Sequence, residues 1–306
     1  MISSTQSTLE PGNPERRGRK KGVYLIPSLF TAANILCGFY AVMASVRAFQ
    51  FIDLGLQQDL VRASGYLNKA AIAIGLAVFF DMLDGRLARM TKTTTEIGVQ
   101  LDSIADVVTF GLAPAVLAYV WGFGASLQEG SELHQLGWFL SFMYLMCGGF
   151  RLARFNVQAS RPRILAEGTI KVDKKSFVGL PIPVAGGLIA AIIHYSPLPL
   201  VAYGPERARI YSVMLMALIG FLSVLMVSTL RFSSFKTVGT TRRRSMRTII
   251  LAVAIGMLIF LYSRHVLLLL AVSYIVHGLF SRVVGAFRKR HELVDAKVES
   301  KQTESY

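Results

Sequence analysis

Several long apolar stretches decide what this chain can fold into. Hydrophobic residues make up 53% of its 306 residues, whereas charged residues make up only 17%. A stretch of about 20 apolar residues is long enough to cross the hydrocarbon core of a bilayer as a helix, and the sequence contains several. We therefore predict an all-α, polytopic integral membrane helical bundle. A composition of this kind excludes a soluble enzyme.

The apolar stretches predict about eight transmembrane helices, with both termini in the cytoplasm. The predicted spans are 27–46, 67–90, 101–121, 136–155, a fifth that opens within 177–187, 210–230, 248–262 and 265–281. Basic residues lie mainly at the ends of spans on one side, and the positive-inside rule makes that side cytoplasmic. The formal charge of +15 therefore indicates anionic lipid headgroups rather than nucleic acid. We expect a multi-pass protein of the cell (inner) membrane.

Charge and hydropathy also divide the chain into four parts. Residues 1–22 are predicted to be a disordered basic cytoplasmic tail, and 23–230 a six-helix membrane domain. Residues 231–285 add a basic loop and two further membrane helices, and 286–306 form a polar cytoplasmic tail. The two cysteines both lie inside predicted spans, so a disulfide framework is not expected.

Four carboxylates lie where the second and third predicted spans meet. The first helix face has the spacing i, i+3, i+4 and i+7 and carries Asp81, Asp84, Gly85 and Ala88. On the next segment every fourth residue belongs to a second face, with Gly98, Asp102 and Asp106. Helical periodicity places each set on one side of its helix. Because carboxylates are costly in membrane helices, we predict a functional site there.

Two such faces turned toward each other would gather the four acids around one small volume. Without cations the carboxylates would repel each other, whereas hard oxygen ligands in this number suit Mg²⁺ or Mn²⁺. Gly85 and Ala88 leave room for a nucleotide or pyrophosphate beside the helix backbone. Arg89 adds a cation suited to phosphate. The sequence therefore predicts a divalent-cation site at the cytoplasmic end of the second and third spans.

The complete pattern fixes eight positions between residues 81 and 106, and it resembles the signature of the CDP-alcohol phosphatidyltransferase family. This resemblance implies a di-metal site surrounded by Asp81, Asp84, Asp102 and Asp106. It also implies that Asp106 is the base that takes the proton from the attacking alcohol. A homodimer is what the family suggests.

Four other stretches resemble the phosphatidylserine synthase branch of that family: LIPSLFTAANILCGF, FGLAPA, RLARFN and FVGLPIP. They imply transfer of a phosphatidyl group from CDP-diacylglycerol to L-serine, with release of CMP. In the first stretch Asn34 is either a helix-packing residue or a contact to the CDP moiety. In the third, Arg151 and Arg154 share a helix face and predict an anion site. Its ligand is either the serine carboxylate or the lipid phosphate.

Alternative functions fit parts of the same sequence. Transfer to glycerol 3-phosphate or inositol phosphate by the same chemistry would require more basic residues near the acids to recognise the alcohol. An ion-coupled transporter or cation channel would place its acids near the bilayer midplane, whereas here they lie at one membrane end. A structural scaffold would leave the spacing of the four acids unexplained.

Overall fold

The computed structural model describes residues 14–91, 96–160, 176–229, 231–233, 256–259, 261–278 and 280. Most of these residues are helical. The helices are α1 (Pro14–Asp53), α2 (Gln57–Thr91), α3 (Glu96–Asp106), α4 (Ala113–Ala118), α5 (Glu132–Ser160), α6 (Ile182–Tyr195), α7 (Pro205–Val227) and α8 (Leu261–Gly278). One π-helical segment, π1 (Val107–Leu112), joins α3 to α4, and a second, π2 (Tyr119–Phe123), continues α4, so that the four segments form one rod. A 3₁₀ turn (Leu200–Tyr203) precedes α7.

Alanines allow α1 and α2 to pack closely as a hairpin. The turn between them contains Gly55, whose φ of 69° lies in the left-handed region that glycine tolerates. Buried alanines recur at helical spacing on both helices: Ala41, Ala44 and Ala48 on α1, and Ala63, Ala70, Ala73 and Ala77 on α2. Small side chains let membrane helices approach closely, where van der Waals contact rather than the hydrophobic effect holds them together.

The π-helical segments of the central rod receive hydrogen bonds from neighbouring helices. The Tyr144 hydroxyl donates to the carbonyl of Phe110 in π1 at 3.0 Å, and the Ser212 hydroxyl donates to the carbonyl of Gly122 in π2 at 2.7 Å. Buried carbonyls need partners, and the wider π turn leaves some of them available. These bonds tie the rod to α5 and α7.

Five helices among the described residues are long and apolar enough to cross a membrane, namely Leu29–Asp53, Ile97–Phe123, Glu132–Gln158, Pro205–Val227 and Leu261–Gly278. This confirms the all-α membrane fold, but not the predicted count of eight. Helix α6 is apolar but has only 14 residues, and α2 is not among the five. Residues 248–255, which open the seventh predicted span, lie outside the described part.

The predicted boundary between the last two spans, after residue 262 and before residue 265, is wrong. Helix α8 runs without a break through Ser263 and Arg264. The Ser263 hydroxyl lies 2.9 Å from Nε2 of His194, and Nδ1 of the same ring lies 2.7 Å from Oδ1 of Asn68. A polar side chain that has a hydrogen-bond partner on another helix can lie inside a membrane helix. The polarity of Ser263 therefore does not indicate the end of a span.

Two strands of three residues each occur beside the helices in the described part of the chain. Strands β1 (Ser176–Val178) and β2 (Arg231–Ser233) pair antiparallel, with Phe177 opposite Phe232. They join the segment before α6 to the segment after α7. The backbone N–H of Leu180 then donates to the carbonyl of Leu225 at 3.1 Å, which fixes the entry of α6 beside the end of α7.

Candidate metal site and adjoining cavity

Helices α2 and α3 bring three of the four predicted acids into one group. Asp81 on α2 and Asp102 and Asp106 on α3 each offer a carboxylate oxygen, and these oxygens all lie within 4.8 Å of one another. Asp106 is only 8% exposed, whereas Asp81 and Asp102 are half-buried. The predicted meeting of the two acid-bearing faces is therefore present in the structure.

The fourth acid, Asp84, lies beside this group and has a partner of its own. It is buried on α2 and accepts a hydrogen bond from the Thr31 hydroxyl of α1. Its charge still acts on Asp81 and Asp102. Thr31 thus fixes the orientation of one acid from a helix that has no acid in the cluster.

The donor set fits a divalent cation. Three carboxylates at this separation repel one another, and a cation between them would replace that repulsion with attraction. Carboxylate oxygens are the ligands that Mg²⁺ and Mn²⁺ prefer. In addition, Oδ1 of Asp106 is buried without a hydrogen-bond partner, so at least one oxygen of the group still needs a donor or a cation.

Helix α1 covers the buried side of the cluster through Asn34. The Asn34 side chain is 1% exposed and interacts with Asp106, although neither of its polar atoms makes a hydrogen bond of normal geometry. The backbone carbonyl of Asn34, in contrast, accepts a hydrogen bond from the Thr109 hydroxyl of π1 at 3.0 Å. Gly38, one turn further along α1, leaves no room for a Cβ because Thr109 lies directly against it.

A cavity of about 230 Å³ opens on the other side of Asp102 and Asp106. Its remaining lining comes from α3, α5 and the start of α6: Val99, Ser103, Arg151, Leu152, Phe155, Asn156, Pro181 and Pro183. The Asn156 amide donates to the Ser103 hydroxyl at 2.8 Å across its rim. This volume is below the roughly 300–1,000 Å³ typical of drug-sized ligands, so the cavity suits a smaller ligand.

The two predicted arginines occupy different environments. Arg151 is 7% exposed, lines the cavity and interacts electrostatically with Asp106, and its Nε has no hydrogen-bond partner. Arg154 instead donates to the carbonyl of Val227 at 3.1 Å and to that of Ser228 at 3.4 Å. The structure therefore separates a cavity arginine from one that holds the end of α7.

Apart from Asn34 on α1, the residues predicted to contact a nucleotide lie near the end of α2. Gly85 is exposed, which leaves its backbone accessible. Ala88 and Arg89 belong to α2, but their side chains lie outside the described part of the structure.

Sequence reasoning missed several neighbours of the site. The hydrogen bond from the Thr31 hydroxyl to Asp84 was not foreseen. Tyr274 on α8 interacts electrostatically with Arg151, and the sequence gives no signal for this because the two residues are far apart in the chain. The rim bond from Asn156 to Ser103 was also missed, since it depends on how α3 and α5 cross.

Comparison with known proteins shows which family the chain is similar to. The family model for CDP-alcohol phosphatidyltransferase matches residues 24–203. A CDP-diacylglycerol–serine O-phosphatidyltransferase of Helicobacter pylori (strain ATCC 700392 / 26695) is 31% identical over 171 residues, which are 56% of this chain and 58% of that protein. A protein of the same name from Saccharomyces cerevisiae is 33% identical over 164 residues, 54% of this chain and 51% of that protein. The chain thus spans little more than half the length of these relatives.

Proposed function

The chain belongs to the CDP-alcohol phosphatidyltransferase family, and on this premise we propose that it transfers a phosphatidyl group from CDP-diacylglycerol to L-serine. The products are phosphatidylserine and CMP. One observation carries the proposal: Asp106 belongs both to the acid group and to the lining of a small cavity that contains a buried arginine. Asp106, like Asp102, therefore lies between the place for a cation and the place for an acceptor.

The acid group would hold Mg²⁺ or Mn²⁺ through Asp81, Asp102 and Asp106, with Asp84 as a fourth ligand. A bound divalent cation supplies neutralisation of the pyrophosphate charge. The Thr31 hydroxyl keeps the Asp84 carboxylate in place at the edge of the group. The backbone of α2 at Gly85 and Ala88 leaves room for the nucleotide, and Arg89 contributes positive charge for its phosphates.

The cavity would hold the serine. Arg151 offers a buried guanidinium suited to the serine carboxylate, because guanidinium and carboxylate can form two parallel hydrogen bonds. Asp106 accepts the proton of the serine hydroxyl as the serine oxygen bonds to the lipid-side phosphorus. The bond from that phosphorus to the bridging pyrophosphate oxygen breaks, and its electron pair leaves with CMP. Holding acceptor and phosphorus in line lowers the entropic part of the barrier.

The proposal also includes the side of the membrane that the acid group faces and the oligomeric state of the protein. The acid group faces the cytoplasm in the cell (inner) membrane, because basic residues cluster at that end of the predicted spans. The homodimer suggested by the family remains a prediction, and the mass of the purified protein in detergent would test it.

The test is release of CMP from CDP-diacylglycerol by the purified protein with divalent cation. Serine, glycerol 3-phosphate, inositol phosphate and no alcohol are compared. We expect release that depends on serine. If only another alcohol stimulates release, that alcohol replaces serine as the substrate and the reaction class stays the same. If no CMP is released under any condition, the transporter becomes the favoured alternative.

A further inference from the structure

Two buried polar groups without partners face each other at the contact between α1 and α3. Both polar atoms of the Asn34 side chain lack a hydrogen-bond partner, and so does Oδ1 of Asp106. Asn34 is 1% and Asp106 8% exposed, so water has little access to either. Buried polar groups nearly always have partners in native proteins. An amide donor beside a carboxylate acceptor is the pairing that satisfies both.

The backbone around Asn34 is fixed against the helix rod that carries Asp106. Thr109 lies three residues after Asp106. Its hydroxyl donates a hydrogen bond to the backbone carbonyl of Asn34 at 3.0 Å. The close contact of Gly38 with Thr109 brings the two backbones together one turn further on. The Asn34 side chain is therefore held beside the Asp106 carboxylate, with which it interacts.

We propose that the Asn34 amide donates a hydrogen bond to Oδ1 of Asp106 and so sets the orientation of the carboxylate that receives the acceptor's proton. Asn34 is then a positioning residue. The inference rests on the proposed function, because it assigns Asn34 to the proton-transfer step. With Oδ1 held on the buried side by α1, the second oxygen of Asp106 is directed toward the cavity that Asp106 lines.

This role differs from a contact to the CDP moiety, and the two predict opposite kinetic effects. A positioning residue acts on the chemical step, so its loss lowers kcat and leaves the affinity for the nucleotide unchanged. A nucleotide contact acts on binding, so its loss weakens CDP affinity. The near-complete burial of Asn34 favours the first role, because it leaves almost no surface for a nucleotide.

The experiment compares the full-length protein with Asn34→Leu and Asn34→Ser in detergent. Leucine has a similar size and no donor, whereas serine keeps a shorter donor. We expect Asn34→Leu to lower kcat about 10–100-fold, as for loss of a hydrogen bond to a charged group. The KM for serine and the affinity for CDP should change by less than about threefold, and Asn34→Ser should recover part of kcat. The matched control is Ser45→Ala, which removes another buried hydrogen bond of α1 and should keep the wild-type kcat.

A second measurement does not depend on turnover. Melting temperatures of Asn34→Leu, Asp106→Ala and the double variant form a cycle in which each substitution removes one partner of the bond, and bonded residues should give non-additive shifts. If Asn34→Leu does not fold, Asn34→Ala replaces it in the cycle. Additive shifts, or a wild-type kcat in Asn34→Leu, would overturn the inference. Weakened CDP affinity at normal kcat would assign Asn34 to the nucleotide instead. If the wild-type protein releases no CMP, the proposed function fails and the cycle still decides whether the bond exists.

Discussion

Replacing Arg151 by Gln tests which ligand the cavity binds. The substitution removes a guanidinium that is 7% exposed and lines the cavity beside Asp106. A hydrogen bond to a charged group contributes about 1.5–3 kcal/mol, which corresponds to about a 10–150-fold change in a binding constant. If Arg151 binds the serine carboxylate, we expect the KM for serine to rise by that factor while the KM for CDP-diacylglycerol stays nearly constant.

The matched control is Arg154→Gln, one helical turn away on α5. Its guanidinium donates to the carbonyls of Val227 and Ser228, so the substitution should lower thermal stability and leave the KM for serine unchanged. Both variants are assayed by CMP release with serine and CDP-diacylglycerol varied in turn. A higher KM for CDP-diacylglycerol alone in Arg151→Gln would assign this arginine to the lipid phosphate. Equal effects of the two variants on the serine KM would refute the separation of the arginines.

Three further substitutions probe the acids, the helix contact and the C-terminal helix. Asp102→Asn removes one of three clustered carboxylates, so the cation concentration for half-maximal CMP release should rise at least about tenfold; an unchanged titration would count against the cation site. Gly38→Ala forces a Cβ against the π1 backbone and should destabilise the protein by about 1–3 kcal/mol. Gly75→Ala, which has open space, should not, and thermal unfolding compares the two. Tyr274→Phe removes the hydroxyl near the cavity arginine and should raise the serine KM about 3–10-fold, with kcat nearly constant; an unchanged KM would exclude this contact.

The part of the site that sequence predicts is the part set by helical periodicity. Residues three and four apart lie on one face whatever the surroundings, so Asp81 and Asp84 on one helix, and Asp102 and Asp106 on the next, had predictable directions. A short connection between the two helices makes them neighbours, which brings the faces together. The match of the family model to residues 24–203 confirms the resemblance that these spacings suggested.

The parts that sequence did not predict depend on how distant helices cross. Arg151 and Arg154 have the same spacing signal, but only Arg154 meets the end of α7. The predicted spans end at residue 262 and begin again at 265, whereas Ser263 stays inside α8 beside His194, which lies 69 residues away in the sequence. In both cases the deciding partner comes from another helix, and periodicity along one helix contains no information about it.

Partners from other helices also explain how the acids are held in place. The clustered carboxylates repel each other, so the folded chain needs other elements to keep them together. Those elements contribute no acid to the cluster: α1 supplies the Thr31 hydroxyl to Asp84 and the Asn34 amide beside Asp106, and α5 supplies Arg151. A substitution on α1 that leaves every acid intact should therefore still change how the site works. The amides and hydroxyls that surround the aspartates are as much a part of this site as the aspartates that the sequence makes conspicuous.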